Sequence, residues 1–409
     1  MSELTKEQSI AAKAITNWVN SSSSPWIFSL AGYAGTGKTF LLQRLIEDLP
    51  HERLRCAAPT GKAASVLQSK LTGIVVQTLH QLLYTPNRDS IEVLEQLYAK
   101  LSEEDDEKKK EAIEEEIREE KAKLSAKKPT FNMKQNSDIN ETTIVIVDEA
   151  SMASPKILRD LESTGCKALF VGDPGQLPPV GNVNWFLDRD HDAQLVSIQR
   201  QAKESPIIRL SFQIRNGDVN VKEFREGDCR IVKKGDVPLE EWEMVDQVLT
   251  GRNASRHKIN RFMRKRMGFE GIDPRENEKL ICLKNDNQQD PPFINGVIFN
   301  SLSDGELDEG GSYRIDIDYE GHELYGIEYY EHHTHANYRS NLEIEPVEFR
   351  RGLLELDYAY AITVHKSQGS EWDSVFVADD EMQIQDKDFR RKWLYTAVTR
   401  AKKKLTLIK

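Results

Sequence analysis

The chain has 409 residues, 38% of them hydrophobic and 30% charged, with a formal net charge of -11. That length allows two or three domains with sizeable cores, and the composition is that of a soluble globular protein, not a disordered or fibrous one. No apolar run approaches membrane-spanning length and residues 1–8 are polar, so neither a secretory leader nor an anchor is expected, and a cytoplasmic location is. Cys56, Cys166, Cys229 and Cys282 lie far apart with no C-x-x-C pair, which points to reduced thiols and away from a zinc site.

In chain order, residues 26–30 form an apolar run that reads as a strand and residues 40–49 a helical run. Between them lies Gly32-Tyr33-Ala34-Gly35-Thr36-Gly37-Lys38-Thr39, which satisfies G-x-x-x-x-G-K-[ST] in a strand, loop, helix context. Glycines let backbone N–H groups turn toward an anion and the following helix offers its positive N-terminus. Lys38 is placed for the β- and γ-phosphates and Thr39 for Mg²⁺. A nucleoside triphosphate site is expected, against the alternative of a glycine-rich turn that matches by chance. A strand at 53–58 follows, and then an insertion from 84 to 138. There Ile91, Leu94, Leu97, Tyr98 and Leu101 share a helical face, Ser102 is placed to cap a second helix through Asp105, and Ile113, Ile117 and Leu124 continue the stripe. An antiparallel helical pair is expected, with the mixed-charge tract 103–123 as its solvated surface; a single flexible helix is the competing description.

Ile144-Val145-Ile146-Val147 reads as a buried parallel strand ending in Asp148-Glu149. Asp148 at the strand's carboxyl end suits Mg²⁺, and Glu149 beside it suits an attacking water, although paired acids after a strand are often only a solvated turn. With a strand at 167–172, the alternation predicts a doubly wound α/β domain over 1–195. A second α/β domain is expected over 196–267 and 353–409, from a helix at 206–215 and strands at 244–250, 373–378 and 405–408. It is interrupted over 268–352 by a segment rich in Asp, Gly, Asn and Tyr that reads as a small β-rich insertion. His332, His333 and His335 cluster there without acidic or cysteine partners and read as a polar loop. Residues 252–266 carry seven Lys or Arg and no acid, and residues 387–409 are also rich in bases. A basic channel would suit nucleic acid despite the net charge; a solvated helix face is the alternative.

Further motifs occur in a particular order: Ala58-Pro59-Thr60-Gly61-Lys62, Thr78-Leu79-His80, Gly172-Asp173-Pro174-Gly175-Gln176-Leu177, Thr363-Val364-His365-Lys366-Ser367-Gln368-Gly369-Ser370-Glu371 and Tyr395-Thr396-Ala397-Val398-Thr399-Arg400-Ala401. With the phosphate loop, they make the chain resemble a superfamily 1 DNA helicase of the RecD-like, 5′-to-3′ branch, and especially the Dda-type helicases of phages. The resemblance implies two RecA-like P-loop NTPase domains, with a wedge hairpin in the first, where this chain's own helical insertion also falls, and a Src-homology-3-like barrel in the second. It also implies ATP and Mg²⁺ as cofactors, with Thr39 and Asp148 on the metal. By position, Gln8 matches an adenine-reading glutamine, Gln176 a γ-phosphate sensor, and Arg400 and Arg200 arginine fingers. Lys38, Asp148 and Glu149 complete the catalytic set. Gly32, Gly35, Thr36, Gly37, Gly369 and Glu371 match nucleotide contacts. Pro59, Thr60, Lys62, Thr78, His80, Thr363 and His365 match contacts to a single-stranded backbone, with His80 and His365 as core histidines in the alternative reading. The wedge is expected at 130–135, with Phe131 as its aromatic. Here the chain departs from the pattern, because a long helical tract lies inside the hairpin region, and Phe131 as a core aromatic is the competing reading.

The function implied is ATP-dependent 5′-to-3′ translocation on single-stranded DNA with unwinding of duplex at single/double-strand junctions. Single-strand-binding or replication proteins are expected as further partners, a membrane is not, and the monomer is expected to be functional, in host cytoplasm if the chain is phage-encoded. A translocase that strips proteins or acts on RNA, and a nucleotide-switched binding module, are the alternative readings.

Overall fold

The computed structural model describes residues 3–86, 131–134, 139–178, 185–187, 189–199, 204–218, 224–233, 235–285, 293–308, 312–330, 353–380 and 386–409, with Thr334 and single helical positions at 97, 100, 101, 109, 110, 113 and 116. Most of the expected helical pair over 84–138, the histidine cluster and Arg200 lie outside these residues.

The first sheet contains β1 (Ile27–Gly32), β2 (Leu54–Ala58), β3 (Val76–Thr78), β6 (Ile144–Val147), β7 (Lys167–Gly172) and β8 (Ala193–Leu195), in the order β3-β2-β6-β7-β1-β8. Every pairing in it is parallel. Strands covered on both faces read as continuous apolar runs, and β6 is buried at all four positions. Its side chains still alternate: Ile144 and Ile146 join the core that holds Ile15, Leu41 and Leu45, whereas Val145 and Val147 join the core on the other face with Phe170. The helix Lys38–Asp48 buries Leu41, Leu42, Leu45 and Ile46 against the first of these cores, at roughly 1.5–3 kcal/mol per side chain removed from water. The helix Lys6–Asn20 has no basic residue in its last turn, and Lys167 supplies the cation from β7. Its ammonium donates to the carbonyls of Trp18 (2.6 Å), Val19 (3.0 Å) and Ser21 (2.5 Å).

Two short strands the sequence did not announce, β4 (Tyr84–Pro86) and β5 (Phe131–Met133), pair antiparallel and form the base of the expected hairpin. Phe131 pairs with Pro86 by its backbone, and its side chain lies outside the described residues.

The second sheet holds β9 (Arg225–Glu226), β10 (Cys229–Val232), β11 (Gln247–Thr250), β18 (Ala361–Thr363), β19 (Trp372–Ala378) and β20 (Ala401–Ile408), ordered β18-β11-β19-β20-β10-β9. Only the β9–β10 edge is antiparallel. The strand expected at 244–250 is shorter because Leu239–Met244 is helical, its first turn carrying Glu240 and Glu241. Between β11 and β18 lie β12 (Lys279–Cys282), β13 (Ile298–Ser301), β14 (Glu306–Leu307), β15 (Tyr313–Tyr319), β16 (His322–Tyr330) and β17 (Leu354–Tyr358). The pairings β13-β12-β17-β16-β15, with β15 returning to β13, close a small barrel around Tyr319, Leu356 and Tyr358. The β-rich insertion therefore extends to Tyr358, past the expected end at 352. Only two residues separate β17 from β18, so the two strands read as one apolar run in the sequence. The Src-homology-3 type goes beyond this pairing pattern.

Three of the seven bases in the run 252–266 are held in ion pairs within the fold. The run forms the helix Asn253–Arg266, in which Arg256 pairs with Asp357, Arg264 with Glu278 (2.6 Å) and Arg266 with Glu243 (2.5 Å). In the tail, Arg390 pairs with Asp379 and Lys403 with Asp373 (2.6 Å). The four cysteines are buried and unbridged. No helix among the described residues is long and apolar enough to cross a membrane.

Candidate active site

In an open parallel sheet the strands' carboxyl ends line one crevice, and the predicted residues arrive there from five strands. β1 delivers the phosphate loop, β2 delivers Pro59 and Thr60, β3 ends at Thr78, β6 delivers Asp148 and Glu149, and β7 delivers Asp173 and Gln176. The second sheet contributes Gly369 and Glu371 from the segment after β18 and Arg400 from the residue before β20. A cleft of about 560 Å³ between the lobes is lined by Lys38, Thr39, Asp148, Glu149, Gln176, Gly369, Glu371 and Arg400 together.

The phosphate loop is held in shape from outside. Gly37 caps the following helix with a left-handed φ of 83°, and a Cβ there would lie 2.4 Å from Gln8 Nε2. Gln8, buried, donates from Nε2 to the carbonyls of Thr36 and Gly37 (3.3 Å each), while its Oε1 accepts from Thr5 N in a capping box. In this arrangement the Gln8 amide braces the loop from the side. Gln199, which the sequence reading passed over, donates from Nε2 to Thr36 O (3.1 Å) and from its backbone N–H to Gly35 O (2.9 Å). Lys38 Nζ donates to Gly32 O (2.7 Å) and Tyr33 O (3.3 Å), keeping the ammonium over the loop.

Glu149 adopts a left-handed φ of 51°, rare for a residue with a side chain, where the chain turns sharply out of β6. Burial pushes its carboxyl above the ordinary range, the neighbouring Asp148 charge pushes the same way, and Arg400 and Lys38 oppose it. Asp148 is raised too, mainly by burial, against the Glu149 N–H and the charges of Lys38 and Lys70. A carboxylate with a raised pKa is suited to accept a proton near neutral pH. Gln176 is buried, and its Oε1 has no hydrogen-bond partner among the described residues. Arg400, also buried, is fixed by Nε to Thr396 O (3.1 Å), Nη1 to Ser370 O (3.2 Å) and Nη2 to Thr399 Oγ1 (3.3 Å).

These features fit a nucleoside triphosphate. Loop N–H groups and Lys38 can take phosphates, the orphaned Gln176 amide oxygen stands in the same cleft, and Thr39 and Asp148 offer an oxygen each to a hard cation whose other ligands would be phosphate and water.

Outside the lining of this cleft, the expected nucleic-acid residues are partly committed to structure. Thr60 Oγ1 caps the helix Gly61–Lys70 through Ala63 N (3.2 Å), and Thr78 Oγ1 caps Leu79–Leu83 through Gln81 N (3.1 Å). Thr363 Oγ1 accepts from Lys366 N (3.4 Å). His80 is exposed, not a core histidine. Its ring lies tilted 5.4 Å from the Tyr84 ring, and its pKa is lowered by partial burial and by Lys156. His365 is half-buried against Phe389. The barrel reaches these segments as well: Ile294 sits directly over Gly61, and Lys366 Nζ donates to Asn295 Oδ1 (2.7 Å).

A phosphate loop and paired acids on one parallel sheet, faced by an arginine from a second, largely parallel sheet, define a two-lobed P-loop nucleotide-binding fold. The sequence matches the family described as AAA domain over residues 3–232, more than half of the chain, and the chain belongs to that family. Residues 358–408 match the UvrD-like helicase C-terminal domain. Among curated relatives, the chain is 27% identical over 413 residues to the ATP-dependent RecD2 DNA helicase of Deinococcus radiodurans, covering 91% of this chain and 45% of that protein. It is 26% identical over 267 residues to the ATP-dependent DNA helicase dda of Enterobacteria phage T4, covering 58% of this chain and 52% of that one. The chain thus spans about half the length of these relatives. A structure of Pif1 helicases at forked double-stranded DNA superposes with a TM-score of 0.56 at 20% identity, over 99% of this chain and 92% of that one. Bacteroides Pif1 bound to single-stranded DNA gives 0.53 at 19% identity, over 100% and 92%. The motif resemblance to RecD-like superfamily 1 helicases and the two-lobed fold agree with these likenesses.

Proposed function

We propose that the chain is an ATP-dependent DNA helicase that moves 5′ to 3′ on single-stranded DNA and opens duplex at junctions. The observation that carries this reading is the single cleft in which Lys38, Asp148, Glu149 and Gln176 of one lobe meet Arg400 of the other. A switch needs only to bind nucleotide, whereas a base, a sensor and a cation across the gap are what rapid hydrolysis requires. Lys38 and the loop amides hold the phosphates, Glu149 takes the proton of the attacking water, Gln176 senses the γ-phosphate, and Arg400 meets the charge that develops. Arg200 is proposed as a second finger, with Gln8 beside the base and Gly369 and Glu371 near the γ-phosphate and ribose. Mg²⁺, on Thr39 and Asp148, would neutralise charge on the β- and γ-oxygens. Pro59, Thr60, Lys62, Thr78, His80, Thr363 and His365 are proposed to follow the DNA backbone, with Phe131 at the wedge. The relatives named as DNA helicases and the Pif1 complexes with single-stranded and forked DNA support this substrate. We assign 1–195 and 196–267 with 359–409 to the two motor lobes and 268–358 to the barrel, and place the protein in the cytoplasm as a functional monomer.

The test compares wild type with Lys38→Ala. Wild type is expected to hydrolyse ATP faster on adding single-stranded DNA, and Lys38→Ala to lose at least about 100-fold in turnover, roughly 2.7 kcal/mol, while still binding the strand. Turnover that ignores both DNA and the substitution would reject the reading.

A further inference from the structure

The hydroxyl of Tyr395 makes a contact that neither the motif nor the proposed chemistry assigns. Tyr395 lies in the helix Lys387–Val398 of the second lobe and is almost fully buried. Its OH donates to Asp173 Oδ2 (2.8 Å), at the end of β7, and accepts from the N–H of Ala34 (2.8 Å), inside the phosphate loop. One phenol thus joins three segments that the chain keeps far apart, because a hydroxyl donates and accepts through a single atom. The fit is close: Gly175 leaves room for the ring, since a Cβ there would lie 2.9 Å from Tyr395 Cε1. Asp173 is fixed in turn, because its Oδ1 accepts from Gly175 N (2.8 Å).

The neighbouring segment is docked in the same way. Leu177 belongs to the first lobe's chain, yet its side chain sits in the core of the second lobe. Its N–H donates to Thr396 Oγ1 (2.9 Å), and its carbonyl accepts from Gln368 Nε2 (2.8 Å). Arg400 follows Tyr395 by little more than one helical turn. The Tyr395 carbonyl accepts from Thr399 N (3.1 Å) and Thr399 Oγ1 (2.9 Å), and Thr399 and Thr396 hold the Arg400 guanidinium. How deeply Tyr395 seats against the phosphate loop therefore sets how far Arg400 reaches toward the phosphates that loop would hold.

We propose that Tyr395 is a positioning residue: through Ala34 and Asp173 it sets the depth at which the second lobe meets the phosphate loop, and so places Arg400 on the reacting phosphate. The inference rests on the hydrolytic reading above. Burial beside Asp173 holds the phenol protonated across the working range of pH, so the relay does not titrate away.

The test is Tyr395→Phe, which keeps the ring and removes both hydrogen bonds, together with Asp173→Asn and the double variant, each checked for folding by circular dichroism and thermal unfolding. Steady-state ATPase is measured with saturating single-stranded DNA. Tyr395→Phe is expected to lower kcat about tenfold with KM for ATP within about twofold, because a misplaced Arg400 fails chiefly in the transition state. The double variant is expected to be no slower than the slower single variant, since both break one relay. An unchanged kcat, a rise in KM alone, or losses that multiply in the double variant would overturn the assignment. Should Tyr395→Phe fail to fold, Asp173→Asn alone must give the same kcat loss at constant KM. A wild type that does not hydrolyse ATP defeats the hydrolytic reading itself; an active wild type with an unaffected Tyr395→Phe defeats only the relay.

Discussion

Glu149 sits where chemistry and stability conflict. Its carboxyl is raised by burial and by Asp148, so the fold is favoured with that group protonated. The stability it contributes is present at acid pH and is lost as pH rises through the raised pKa, which leaves a cost at neutrality. Replacing it with Gln removes the base and the cost together. Glu149→Gln is expected to bind ATP and DNA, to hydrolyse at least about 100-fold more slowly, and to unfold at a temperature roughly 1–4 °C higher. Calorimetry beside an ATPase assay checks both, and normal turnover in the variant would move the base elsewhere. The same carboxyl should set the acid limb of the rate against pH, above the ordinary glutamate value. Because Arg400 opposes the rise, Arg400→Ala should shift that limb further toward alkaline pH as well as lower kcat. Lys38, Asp148 and Glu149 were legible because a local pattern carries their chemistry. Tyr395 and Gln199 lay in or beside recognised motifs, but their partners are distant in sequence, and no local pattern announces a bond across lobes.

At the scale of elements, strands buried on both faces were the easiest to read: Ile144–Val147, Lys167–Gly172 and the helix Pro206–Arg215 lie where the apolar runs predicted. Edge strands of three residues, such as Val76–Thr78 and Ala193–Leu195, bury too little to leave a pattern. The basic helix Asn253–Arg266 was only partly legible, since charge in a sequence does not reveal its partner. Arg264 and Glu278 are both fully buried and doubly bonded (2.6 and 2.7 Å), and Arg264 also donates to Gly271 O (2.7 Å) and Asp273 O (2.8 Å). This pair joins the motor lobe to the first strand of the barrel. Arg264→Leu would strand a buried carboxylate and is expected to cost about 3–5 kcal/mol in urea unfolding, whereas Arg264→Leu with Glu278→Leu should recover most of it. If the double variant were no more stable than the single, the pair would be more than a junction.

For the whole molecule, the cleft and the face expected to carry DNA are linked by short rigid steps. Thr78 caps the helix Leu79–Leu83, which runs straight into β4, and β4 pairs with β5 at the base of the expected hairpin. That base is tied down: Tyr84 OH donates to Asp160, Lys134 N to Leu83 O (3.0 Å) and Lys134 Nζ to Gln81 O (2.7 Å). A strand drawn past Thr78 and His80 would thus meet a strand pair fixed to the lobe that draws it, which is what splitting a duplex by translocation needs. We expect unwinding of a duplex with a 5′ tail and little with a 3′ tail, an RNA tail or none. Phe131→Ala should keep DNA-stimulated ATPase within about twofold and lose most strand separation, because an aromatic stacked on the pair being opened is worth about 1–3 kcal/mol per base. Strand separation is read on labelled duplexes, and hydrolysis is read in the same tubes. A preference for 3′ tails would reverse the polarity proposed here, and full unwinding by Phe131→Ala would return that residue to packing and put the separating element elsewhere on the face.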